Sequence, residues 1–183
     1  MKKYKNVLLC NADTIKTYTN IDNNISDEYI LPALNQAQMI DLEAILGTQL
    51  VRKLQMLVAT NSINDIENEC YQELLDDYIT DFLAYATIVK LIPIISFKLG
   101  NSGTVISSDE KLINMSFDEV FDLKDYYQNQ ADYLQYRLQK YVLENTNKYK
   151  EINENKVSDI KTNLHSSANV SIWLGGARGK IKQ

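Results

Sequence analysis

Residues 26–50, SDEYILPALNQAQMIDLEAILGTQL, leave little room for anything but two helices joined at a glycine. Ser26 is a natural cap, and Asp27 and Glu28 put negative charge at the positive end of the helix dipole. Pro32 lacks a backbone donor and suits a first turn, so the regular helix is expected from about Leu31, after a looser turn at 27–30. Ile30, Leu34, Ala37, Ile40, Ala44 and Ile45 then form one stripe at helical spacing. Leu31, Met39, Leu42 and Leu46 occupy a different flank, and one core cannot easily cover both. Gly47 supplies the left-handed residue that ends a helix and Thr48 can cap the next, so the two helices are expected to fold back on each other through a minimal link.

The rest of the chain has the same helical character. Asn11 or Asp13 can cap a short helix through Tyr18. Leu50, Leu54, Leu57 and Val58 repeat at amphipathic spacing, up to a stop at Thr60, Asn61 and Ser62. A broad apolar face runs from Tyr71 through Leu74, Leu75, Tyr78, Phe82, Tyr85, Ala86 and Val89 to Ile92, with Pro93 expected to end or kink it. A helix over 69–92 would be about 35 Å long, the span of a small domain. The most apolar stretch, 82–97, is interrupted by Lys90 and Pro93 and reads as a buried helix, with no membrane span expected. Residues 100–115 hold two of the six glycines and read as an excursion loop with a short hairpin. Ser116 and Glu119 form a capping box. The helix it opens, with a break expected near Asp122, carries Tyr127, Ala131, Leu134, Leu138, Tyr141 and Val142 on one face and Tyr126, Tyr133 and Arg137 on a neighbouring one.

Periodicity ends near Asn145. The expected architecture is therefore all-α: a bundle of four to five helices over 1–145, with the loop at 100–115, followed by a polar extended tail over 146–183. Residues 152–183 lack periodic apolar positions and are expected to stay largely disordered in the free protein. Their one apolar island is Val170, Ile172, Trp173 and Leu174, which precedes a glycine-rich basic end with Arg178 and Lys180.

Chemistry is sparse. The lone histidine, His165, falls in a segment without a predicted rigid element, and Cys10 and Cys70 have no evident base partner. Asp76 and Asp77, like Asp118 and Glu119, are adjacent in sequence and diverge around a helix. The cluster 175–180 does not meet the phosphate-loop pattern. No catalysis, metal or cofactor is expected. The two separated cysteines fit a reducing compartment, and MKKYKNVLLCNAD is too short in its apolar run for a secretory signal. A net charge of −5 argues against broad coating of nucleic-acid phosphates. The 12 tyrosines can face a core with the ring and water or a partner with the hydroxyl.

Ile30-Leu31-Pro32, Ala37-Gln38, Ile45-Leu46-Gly47-Thr48 and Leu50, followed by Tyr71, Leu74-Leu75, Tyr78-Ile79, Leu83, Pro93, Lys98, Asn101 and Gly103, form a pattern that resembles the head-tail connector (adaptor) proteins of tailed bacteriophages, especially those of crAss-like phages infecting Bacteroidetes. The resemblance covers roughly 8–145, and Ile172-Trp173-Leu174-Gly175 is similar to the family's terminal motif. It implies a structural virion protein: a dodecameric ring under the portal protein at the head-tail interface, assembled in the host cytoplasm and contacting a tail protein or second ring below. DNA would pass through its channel without specific binding, and an acidic lumen would let the duplex slide. On this reading Leu31, Met39, Leu42 and Leu46 belong to the subunit interface, which must be heterologous in a closed ring. Val170, Ile172, Trp173, Leu174, Arg178 and Lys180 would anchor the tail on a partner. A helical, non-catalytic module binding one phage or host protein is the alternative.

Overall fold

A computed structural model describes residues 4, 6–100, 103–106, 116–153 and 160–164. The architecture is a helical bundle, as the patterning predicts, with one small hairpin. Helix α1 (Ala12–Thr19) is capped by Asn11, whose side-chain oxygen accepts the Thr14 amide at 2.8 Å. Helix α2 (Asp27–Gln36) is capped by Ser26 and begins four residues earlier than the position of Pro32 suggests. Pro32 lies inside it, with its ring on the exposed side. The helix then widens into a π turn, Ala37–Leu42, and continues as α3 (Glu43–Ala59).

That π turn corrects the expected stripes. Each extra residue in a helical turn rotates everything downstream by about 100°. Ile30, Leu34 and Ala37 are fully buried, but the next buried apolar position is Leu42, five residues on rather than three or four. Ile40, expected in the core, is 58% exposed, whereas Leu42 and Leu46, expected at a subunit interface, are completely buried inside their own subunit. Of the expected interface set, Leu31 is exposed and Met39 half-buried. One core therefore takes Ile30, Leu34, Ala37 and Ile45 of the first stripe together with Leu42 and Leu46 of the second, while Ile40 and Ala44 are left exposed.

Gly47 interrupts α3 with φ 77° and ψ 157°, a conformation that a side chain strongly disfavours. The two helical halves do fold back: Gln38 and Gln55, on either side of the break, both donate to the Val7 carbonyl, at 2.9 and 3.0 Å. Gln38 also accepts the Leu9 amide at 2.8 Å, so this completely buried amide clamps the extended chain before α1. Thr48 does not cap in the expected way. Its hydroxyl donates to the Glu43 carboxylate at 2.6 Å.

The centre of the bundle is one helical run, Ile66–Ser96, built from a short 3₁₀ turn, α4 (Glu69–Leu74), a second π turn (Leu75–Ile79) and α5 (Thr80–Ser96). By length and composition alone it is apolar enough to cross a membrane, with half of its most apolar window buried inside the bundle. Helices α1, α2 and α6 (Phe117–Glu144) all pack on α5. Its buried hydroxyls are satisfied by its own backbone, Thr80 donating to the Leu75 carbonyl and Thr87 to that of Leu83. Lys90, which interrupts the apolar run, reaches Asp41 of the first π turn at 3.0 Å. The helix continues past Pro93 to Ser96, so the proline does not end it.

Strands β1 (Phe97–Gly100) and β2 (Gly103–Ile106) pair antiparallel, Phe97 opposite Ile106 and Gly100 opposite Gly103. The hairpin thus starts three residues before the expected loop, and 107–115 lie outside the described residues. Helix α6 (Phe117–Glu144) opens on the full capping box, Ser116 accepting the Glu119 amide and Glu119 accepting that of Ser116. It runs unbroken past Asp122.

The boundary expected at 145 is also corrected. Beyond a 3₁₀ turn (Thr146–Lys148), Tyr149 is fully buried and ranks among the largest such side chains, and α7 (Lys150–Asn153) packs on α3. Residues 160–164, expected to be disordered, form a strap across the Gly47 break. The Thr48 amide donates to the Ile160 carbonyl at 3.0 Å and the Asn163 amide to that of Ile45 at 2.9 Å. The Thr162 hydroxyl donates to the Leu46 carbonyl at 2.7 Å, and the Ile160 amide to the Thr48 hydroxyl at 3.1 Å. A β-carbon on Gly47 would lie 2.7 Å from the Thr162 nitrogen, so the glycine makes room for the strap as well as the turn.

Candidate functional site

The residues that distinguish this bundle chemically are its tyrosines, gathered where α4, the second π turn, α6 and the turn after α6 meet. Tyr78 stacks on Tyr141 with ring centroids 3.9 Å apart, and Tyr71 meets Tyr149 edge-on at 5.6 Å. The Arg137 guanidinium lies over the outer face of this stack, 4.8 Å from the Tyr78 ring, and is held by Asp81 at 2.9 Å.

Inside the cluster the hydroxyls are directed. The Tyr149 hydroxyl donates to the Cys70 carbonyl at 3.1 Å and lies 3.4 Å from the Tyr141 hydroxyl. The Tyr71 hydroxyl donates to the Glu151 carboxylate at 2.9 Å. Burial, reinforced by nearby Glu73 and Tyr78, pushes the Tyr141 phenol up to about 12. Tyr149 is raised further still, again chiefly by burial. Neither ring can serve as a base near neutral pH, and together they tie the segment after α6 to α4.

Outward from the stack, Tyr78, Tyr133, Tyr136, Arg137, Lys140, Tyr141 and Glu144 line an open groove of about 330 Å³. Tyr133 and Tyr136 are 65% and 52% exposed, and Tyr126 and Leu143 extend the same side of α6. A helix normally turns its apolar residues inward. Here Ala131, Leu138 and Val142 do so, and a second aromatic row faces water. Elsewhere on the bundle, Tyr29 and Leu31 of α2 and Ile40 of the first π turn are exposed.

Nothing in the described residues assembles as a nucleophile with a base. Burial pushes the Cys10 thiol up to about 12, which keeps it protonated. Asp76 and Asp77 are exposed in the second π turn, and Glu119 is held below the usual carboxylate range by its hydrogen bonds to Ser116. No group of three metal-capable side chains converges among the described residues. His165, Val170, Ile172, Trp173, Leu174, Arg178 and Lys180 lie outside the described residues.

A family of unknown function, DUF6712, matches residues 42–162, more than half of the chain. The chain belongs to the DUF6712 family. Its matched region starts at Leu42, the residue that the π turn carries into the core, and ends at Thr162, whose hydroxyl closes the strap on Leu46. The DUF6712 unit therefore contains the Gly47 break, the strap as far as Thr162 and the whole tyrosine cluster. No curated protein and no solved structure matches the chain.

Helical spacing alone puts Tyr126, Tyr133 and Arg137 on one face of α6; only the fold joins that face to Tyr78 and Tyr141. The available signal was Tyr136, Lys140 and Leu143, which follow Tyr133 at three- and four-residue steps on the side away from the core.

Proposed function

We propose that this DUF6712 chain is a structural virion subunit, a ring-forming head-tail connector that docks under a portal protein and extends the DNA channel toward the tail without catalysis. The observation that supports this reading is the apolar side chains left exposed on two different elements, Tyr29, Leu31 and Ile40 on α2 and the first π turn, and Tyr133, Tyr136 and Leu143 on α6. Their parent helices, α2 and α6, both pack on α5 but not extensively on one another. Two different surfaces meeting head to tail are what a closed ring requires; a two-fold dimer would need one self-complementary patch. The net charge of −5 suits a channel through which DNA slides.

Of the interface residues expected from sequence, Leu31 and Met39 stay in this proposal, joined by Ile40, while Leu42 and Leu46 leave it because they are core. The reading requires the protein in purified virions at the stoichiometry of the portal; absence from particles would overturn it. Leu31→Asp combined with Ile40→Asp should abolish ring assembly on the portal while helical content stays at wild type. Rings formed by that variant would remove the α2 flank from the interface.

The groove beside Tyr78 favours a second reading, a non-catalytic module that receives one segment of a single phage or host protein. A stable one-to-one complex outside any particle would support it.

A further inference from the structure

The strap leaves the described structure beside α6, where the Gln139 amide donates to the Asn163 carbonyl at 3.1 Å. Gln139 is buried, and its neighbours on the helix surface at three and four residues' distance are Tyr136 and Leu143, both more than half exposed. The chain therefore emerges at the edge of the exposed aromatic face. Nineteen residues follow Leu164, and they contain Val170, Ile172, Trp173 and Leu174, then Arg178, Lys180 and Lys182, with no acidic residue.

The first half of α6 has the opposite balance. Asp118, Glu119, Asp122, Asp125 and Asp132 are exposed there, with Lys124 the one cation between Phe117 and Asp132. Both distances fit. From Asn163 to Val170 an extended chain spans up to about 23 Å, against about 9 Å along the helix from Gln139 to Tyr133. Fifteen residues to Arg178 reach up to about 50 Å, against about 26 Å from Gln139 to Asp122.

We propose that the exposed face of α6 is the seat of this chain's own C-terminal segment, with Val170, Ile172, Trp173 and Leu174 on Tyr133 and Tyr136 and the basic end over the acidic first half of the helix. The order of the two matches is what selects this occupant. A chain leaving beside Gln139 toward the helix N-terminus meets Tyr136 and Tyr133 before Asp132 and the carboxylates of the first turns, and the segment presents its apolar island first and its cations afterwards. The seat belongs to the free subunit and does not depend on ring formation. If the chain is a connector, the segment covers one ring-forming surface until assembly lifts it.

Trp173 is the sole tryptophan, so its fluorescence reports the seat in the full-length wild-type protein. The emission should be blue-shifted, and acrylamide quenching several-fold weaker than for a synthetic peptide of residues 165–183, with no change on dilution. Tyr133→Ser with Tyr136→Ser should bring both values to those of the peptide while the far-ultraviolet circular dichroism stays unchanged. Should that variant lose helical signal, Tyr133→Ser alone, at the most exposed position of the seat, is held to the same criterion. Peptide-like fluorescence in the wild type overturns the proposal, as does protection that survives the substitutions. Protection lost on dilution also overturns it, by placing the segment on a second copy.

Discussion

Gly47 has two reasons to lack a side chain, and they can be separated. Its φ of 77° is strained for any L residue, and a β-carbon would press on the Thr162 nitrogen. Gly47→Ala should cost more than about 1 kcal/mol from the backbone alone. In a chain truncated after Asn153 the same substitution should cost measurably less in urea unfolding, because the strap contact is already gone. Equal costs in the two chains would show that the strap yields freely. Cys10 and Tyr141 set a second expectation. Each is raised to about 12 from an ordinary value of 9.0 or 10.0, so folding favours the protonated form. The stability they contribute is complete below pH 9 and is lost as pH rises toward 12. Denaturant midpoints should fall over that interval, and Cys10→Ala should remove part of the slope between pH 9 and 12.

At the scale of helices, the π turn at Ala37–Leu42 decides which of two candidate stripes is core. Leu42→Ala should destabilise by about 2–5 kcal/mol, since Leu42 is fully buried. Ile40→Ala should change stability by less than about 0.5 kcal/mol, as an exposed position away from special contacts does. Thermal unfolding of the two variants checks the register directly; equal losses would restore the regular helix. The caps Asn11, Ser26 and Ser116, the break at Gly47 and the apolar faces of α5 and α6 were legible because each is written in a few adjacent residues or in regular spacing. The inserted residue was not, because a template of 3.6 residues per turn has no place for it and both registers present good leucines. The strap was illegible for a different reason. Most of its bonds to the Gly47 break use backbone groups, which leave no mark in a polar sequence.

For the whole molecule, the domain does not stop with α6. Tyr149 is buried against Tyr71 and Cys70, so truncation after Asn145 should remove a large part of the core edge, whereas truncation after Leu164 should leave a folded bundle. Tyr149→Ala should cost about 3 kcal/mol or more, as for other large buried aromatics. Calorimetry on the variant and the two truncations tests this, and an unchanged melting temperature for the chain ending at Asn145 would move the boundary back. The site was legible in part, since tyrosine abundance was evident, but only the fold could bring Tyr78 to Tyr141 and leave Tyr133 and Tyr136 outside. The strap also imposes an order in time. It joins residues 112 and 116 positions apart, so on the ribosome the far side of the Gly47 break waits for its partner. At about 5–20 residues per second that wait lasts roughly 6–22 s. Local helices form within microseconds, so nearly everything N-terminal to the strap has time to pack before it emerges. Closure should then fall after the rate-limiting step, and Thr162→Ala should speed unfolding while leaving the refolding rate near wild type. The bundle would thus be folded first and fastened last, by the same five residues from which the C-terminal segment departs.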